Sequence, residues 1–245
     1  MLSLRSLTTA PRRVRLLSTT YRFSSLALDS TTTAATSNAP LSHEDFRKEH
    51  QIALKGPDHD KYVPFLDFDS TPFQPSLKKA LKVEGFSSPT PIQAESWPIA
   101  LEQRDIISVA RTGSGKTCGF LLPAFHKMMM AKANHAKNNP TPASGGKFQR
   151  WKRLSRRVPT TLVLAPTREL AVQIDTEAQK FSRTSGLLTA CLYGGTSKGP
   201  QIAKLKQGVD LVVATPGRCN DLAEMGMLDL SSVDYLVLDE GKLLT

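Results

Sequence analysis

The chain has 245 residues, enough for one large domain or two small ones, and its apolar fraction of 40% suits a globular core. Its formal charge of +10 is carried by two stretches, residues 1–28 with five Arg and residues 131–158 with eight Lys or Arg, neither holding an acid, so the rest of the chain is slightly acidic. Three cysteines without paired spacing (Cys118, Cys191, Cys219) argue against a zinc site and a disulfide scaffold, and no apolar run reaches the length of a membrane span.

Residues 1–28 are rich in Arg, Ser, Thr and Leu, and no acid precedes Asp29. That is the composition of an organelle transit peptide, most like a mitochondrial one, with a plastid address or an untargeted basic tail as alternatives. Leu2, Leu4, Leu7, Leu16 and Leu17 among the arginines permit an amphipathic helix, and Arg22-Phe23-Ser24-Ser25 is a processing neighbourhood. Residues 29–40 read as a Ser/Thr/Ala linker, so 1–40 form one appendage. A flanking segment, 41–67, follows with a charged helix predicted over 44–52. A further helix is predicted over 75–83, with Pro75 in its first turn and Gly85 as its stop. A turn at 85–89 then leads to a helix over 94–101.

The apolar run 105–109 predicts a strand that enters Ala110-Arg111-Thr112-Gly113-Ser114-Gly115-Lys116-Thr117, and a helix is predicted from there to Met130. Strand, glycine-rich turn and helix together are the context of a phosphate-binding loop. The glycines let backbone N–H groups close around phosphate oxygens at the positive end of the helix. Lys116 reaches β- and γ-phosphates, and the Thr117 hydroxyl suits Mg²⁺. Ala110 stands where a first glycine is usual.

Residues 131–158 are polar and basic and hold Pro140, Pro142, Gly145 and Gly146; they read as an insertion, mostly disordered. Trp151 among basic residues could stack on a base, although a plain surface excursion is the better reading. Strands are then predicted over 161–165, 188–192, 210–214 and 235–240, separated by helices over 168–182 and 198–206 and by one after Arg218. Short apolar strands alternating with helices predict a parallel α/β sheet with right-handed crossovers and ligands at the strand C-terminal ends. At those ends stand Pro166-Thr167-Arg168, Gly194-Gly195, Thr215-Pro216-Gly217-Arg218 and Asp239-Glu240.

Gly-Phe-x-x-Pro-Thr-x-Ile-Gln at 85–93, an aromatic seventeen residues upstream (Phe68), Ala-x-Thr-Gly-Ser-Gly-Lys-Thr, PTREL, GG and TPGR come in the order of a DEAD-box RNA helicase, which residues 44–240 resemble. The resemblance implies a RecA-like P-loop NTPase domain over 68–240 that uses ATP and Mg²⁺ to clamp RNA and separate short duplexes. It implies that Gln93 reads the adenine edge and Phe68 stacks on the base, and that residues 111–117 hold the phosphates. Pro166, Thr167, Arg168, Gly194, Gly195, Thr215, Pro216, Gly217 and Arg218 would grip the RNA sugar–phosphate backbone without reading sequence. Asp239 would hold Mg²⁺ with Thr117, Glu240 would orient and deprotonate the attacking water, and Lys116 would complete the catalytic set. FRKEHQIALKG, WPIAL and LYGGTSKGPQ further resemble a subfamily related to nuclear helicases of splicing and ribosomal RNA processing, an address that the leader does not fit.

The family pattern continues Asp-Glu-Ala-Asp, whereas this chain reads Asp239-Glu240-Gly241-Lys242 and ends at Thr245. Residues 241–245 therefore read as an aberrant tail. The family's second RecA-like domain would be absent, as would the strand that lies between the phosphate-loop strand and the strand ending at Asp239. The expectation is an unstable chain with little ATP hydrolysis. Gly-Lys can be encoded GGT-AAG, which contains an intron donor sequence, so a truncated gene model of a complete helicase is one origin. The alternative is a truncated product that binds RNA or regulates without catalysis. Protein partners and a membrane are not implied.

Overall fold

The computed structural model describes residues 42–56, 58–138 and 158–240. The leader 1–40, residues 139–157 of the basic stretch with Trp151, and the tail 241–245 lie outside the described residues.

Four short strands form one parallel sheet: β1 (Thr161–Leu164), β2 (Thr189–Leu192), β3 (Leu211–Ala214) and β4 (Tyr235–Leu238), in the order β2-β3-β1-β4. Each is a continuous apolar or β-branched run, as strands covered on both faces require. The connections are helical: α5 (Arg168–Ser185), α6 (Lys198–Lys206) and α7 (Pro216–Glu224). Before the sheet come α1 (His43–Glu49), α2 (Pro75–Val83), α3 (Pro91–Leu101) and α4 (Lys116–Asn138), with a single 3-10 turn at His59–Lys61. One face of the sheet (Val163, Leu211, Val213, Tyr235, Val237) packs on α2, α4 and α5 through Leu77, Leu81, Leu122, Phe125, Ile174 and Phe181. The other (Leu162, Ala190, Val212, Leu236) packs on α6 and α7 through Leu205, Cys219 and Leu222. All three cysteines are free, and burial raises their thiol pKa values, to about 12 for Cys118 and Cys191 and about 11 for Cys219, so they serve as packing groups.

Several predicted boundaries are met closely, those of α2 and α6 to the residue. Two differ in ways that matter. Residues 105–109 are not a strand; among the described residues they belong to no ladder of the sheet, and a strand exists only through its neighbour's ladder hydrogen bonds. Ile106 is nonetheless buried, against Tyr62, Ile99 and Ala100. Helix α4 runs eight residues past Met130, so 131–138 belong to the domain and not to an excursion. That run, AKANHAKN, is free of Gly and Pro and rich in good helix formers, and Lys132 ties it to Asp210 at 3.2 Å.

Candidate nucleotide and RNA site

The phosphate loop closes between α3 and α4. Gly113 and Gly115 take φ of +76° and +88°, a region that disfavours side chains, and this bends residues 111–115 ahead of the first turn of α4. Thr117 is half-buried in that turn. The Lys116 ammonium lies inside the curve, where it donates to the carbonyls of Ala110 (2.5 Å) and Arg111 (3.3 Å).

Two polar groups of α3 hold the loop from behind. Thr90 Oγ1 donates to the Ser114 carbonyl at 2.8 Å, and Gln93 Nε2 donates to the Gly115 carbonyl at 3.0 Å. Gln93 Oε1 accepts from the Thr90 N–H at 3.1 Å, the reciprocal half of a capping box. Gln93 is 1% exposed and Phe68 4%. Both side chains that the resemblance assigns to the adenine are thus buried. Phe68 packs 6.1 Å from Trp97 in the core, and one donor and one acceptor of the Gln93 amide are engaged within the protein. The short T-x-x-Q spacing, which makes a helix start, turns the glutamine inward.

A Cβ added at Gly115 would stand 2.5 Å from Gln93 Nε2 and 2.9 Å from Thr90 Oγ1. Gly115→Ala is therefore expected to push both side chains off the loop and to strain a left-handed residue. Nucleotide affinity should fall by roughly tenfold or more, the loss of one to two hydrogen bonds plus strain. Titration with a fluorescent ATP analogue reads it.

The C-terminal ends of β1 to β4 carry the other expected segments on the same sheet edge. Thr167 caps α5, its hydroxyl accepting from Leu170 N–H at 3.2 Å. Arg168 is exposed, with its guanidinium 4.7 Å from the Tyr193 ring centroid. Gly194, Gly195 and Gly217 are exposed, whereas Pro166, Thr215 and Pro216 are half-buried. Arg218 is buried. It is 8% exposed, donates through Nη2 to the Thr196 carbonyl at 2.9 Å, and faces Asp221 at 3.5 Å. An acid one turn later on α7 draws it inward, so it braces the 193–197 loop and does not present an open cation. Thr90, Tyr193 and Asp221 were not singled out from sequence; only Thr90 left a signal there, the capping-box spacing.

Asp239 and Glu240 follow β4 in a turn, not in the strand. Glu240 has φ +51°, and its N–H bonds to Asp239 Oδ1 at 3.1 Å. Burial pushes the Asp239 carboxyl above the ordinary carboxylate range; the Lys116 charge and the Glu240 N–H pull it partly back. The structure thus brings the phosphate-loop lysine and this acid, far apart in the sequence, within electrostatic reach of each other. Because the folded pKa is raised, this acid's contribution to stability is greatest below the unfolded value and declines as pH rises through the folded one. Asp239→Asn should therefore raise the melting midpoint at pH 7, by a gain that fades toward pH 4, as thermal melts across that range would read.

A model of the DEAD/DEAH box helicase family matches residues 90–244, well over half of the chain. This chain belongs to that family. It is similar to DEAD-box ATP-dependent RNA helicase 40 of Arabidopsis thaliana, 47% identical over 198 residues that make up 81% of this chain and 16% of that protein. It is likewise similar to helicase 14 of the same plant (46% over 208 residues, 84% and 30%) and to ATP-dependent RNA helicase DBP2 of Candida albicans (44%, 81% and 32%). Among solved structures it resembles a DEAD box protein from Methanococcus jannaschii, with a TM-score of 0.58 and 30% identity over 72% of this chain and 42% of that one. The RecA-like DEAD-box fold expected from the sequence is therefore established. The chain spans about a sixth to a third of the curated relatives named.

Proposed function

We propose that the protein is an ATP-dependent RNA helicase whose phosphate loop (111–117) holds ATP and whose strand ends at 166–168, 194–195 and 215–217 meet an RNA backbone. The observation that carries the reading is the convergence of Lys116 with the desolvated Asp239 beside a glycine-shaped loop. The donor set fits Mg²⁺ carried by a nucleotide. Among the described residues no group of three or more His, Cys, Asp or Glu could hold a metal ion alone. One carboxylate (Asp239) and one hydroxyl (Thr117) are what Mg²⁺ takes from a protein when phosphates and water supply the rest. Bound there, the cation neutralises charge on the phosphates. Lys116 binds and orients them, and Glu240 accepts the proton of the attacking water.

The adenine contacts by Gln93 and Phe68 are a finer part of this proposal and require both to re-expose an edge. Finer still is a fragment reading, in which the 245 residues alone hydrolyse little ATP. A mitochondrial destination for residues 1–28 is proposed on composition alone, and import into isolated mitochondria tests it. Sequencing the mature transcript across the Glu240 and Gly241 codons tests the fragment reading. For the function itself the test is RNA-stimulated ATP hydrolysis by the product of that transcript. Lys116→Ala should reduce it by about 100-fold or more, the scale of losing one charged donor to the phosphates. Equal rates in the two proteins would remove Lys116 from the chemistry.

A further inference from the structure

Helix α3 is gripped from outside by the segment that precedes it, at three independent points. Pro98 lies inside α3 and has no N–H, so the carbonyl of Ala94, four residues before it, lacks its helical donor. The N–H of Phe65 takes that place at 3.1 Å. Arg47, on α1, forks onto Glu95 of the same helix, with Nε 2.8 Å from Oε1 and Nη2 3.3 Å from Oε2. Arg47 Nη2 also donates to the Tyr62 carbonyl at 2.6 Å. Tyr62 in turn packs against Ile99 and Ala100 of α3 and against Ile106, which lies in the run entering the phosphate loop.

The Glu95 side chain is only 3% exposed. A carboxylate so far from water depends on its cation, and removing that cation forces the helix to shift or to admit water. Two residues earlier on the same rigid helix, Gln93 bonds to the Gly115 carbonyl. A displacement at Glu95 therefore reaches the phosphate loop through the Gln93 amide and the Thr90 hydroxyl. Arg47 touches neither nucleotide nor RNA segment, so it acts through α3.

We propose that the Arg47–Glu95 ion pair is a positioning latch through which the N-terminal flanking segment sets how tightly the phosphate loop holds nucleotide. The proposal rests on the reading of residues 110–117 as an ATP site.

The test uses the full chain and a fluorescent Mg-ATP analogue, with a thermal melt of each protein in parallel. Arg47→Ala should weaken nucleotide binding by about 5- to 10-fold, and Arg47→Lys, which keeps the charge and loses the fork, by about 2- to 3-fold. Ser42→Ala removes the α1 cap, whose hydroxyl accepts from the Asp45 N–H, and leaves no charge unpaired. It should weaken binding in the same direction. In a background carrying both Thr90→Val and Gln93→Ala, Arg47→Ala should add less than about twofold, because the two hydrogen bonds that transmit the shift are gone. A merely structural pair would lower the melting midpoint and leave the affinity of the folded protein within about twofold, which overturns the latch. Effects of Arg47→Ala and of that double substitution that multiply would overturn it equally. If Arg47→Ala does not fold, parent-like affinity in both Arg47→Lys and Ser42→Ala overturns it. If the unaltered chain binds no nucleotide, the ATP-site reading falls and the latch with it; if it binds and the Arg47 variants match it, the latch alone falls.

Discussion

Glu240→Gln should leave ATP binding intact and slow hydrolysis by about 100- to 1,000-fold, the usual worth of a positioned general base. Glu240 is exposed at the sheet edge and its side chain makes no packing contact that the fold requires, so the variant should melt as the parent does. Its left-handed backbone is strained equally for Gln and Glu. The isosteric amide keeps the shape and loses only the basicity. Asp239 and Lys116, the groups nearest the phosphates in this reading, are untouched. Single-turnover hydrolysis on the product of the mature transcript, with saturating RNA, separates the two steps that Lys116→Ala would merge. If the Glu240→Gln variant binds ATP and hydrolyses it at the parent rate, the base is not Glu240.

The sheet was legible because each strand is a short apolar or β-branched run flanked by turn residues, the composition that a parallel strand buried on both faces favours. The phosphate loop and the strand-end segments were legible for a related reason: backbone geometry fixes which residue types occupy a glycine turn or a helix start. What sequence misplaced was decided by distant partners. Residues 105–109 have strand composition, but no strand lies beside them among the described residues. The basic run 131–138 looked like an excursion by its charge, and Lys132 with Asp210 shows it docked on the domain. Arg218 and Gln93 each bond a protein carbonyl, of Thr196 and Gly115, a pairing for which no local pattern exists. Arg47 and Glu95 lie 48 residues apart, so no local pattern announces their pairing.

Trp97→Ala should cost about 3–5 kcal/mol, as removal of a fully buried large side chain does, a large share of the stability of a domain worth about 5–15 kcal/mol. Trp97 is 0% exposed and joins three elements, α3 that bears it, the Phe68 patch and the Phe73 turn before α2, with its ring 5.0 Å from Phe73 in an edge-on contact. Truncation would leave a cavity that rigid neighbours on all three sides cannot fill. The indole Nε1 makes no hydrogen bond among the described residues, so Trp97→Phe discards a buried donor unpaired there along with some volume. That variant should cost less than about half as much as the alanine, since it offsets part of the lost packing. Urea unfolding of the two proteins gives the comparison. Equal losses would mean that the indole N–H is satisfied by water and that its loss, common to both variants, outweighs the lost volume. A small loss in both would mean that the core repacks around α3. The clamp behind the phosphate loop would then rest on the Arg47 and Phe65 contacts more than on the aromatic cluster.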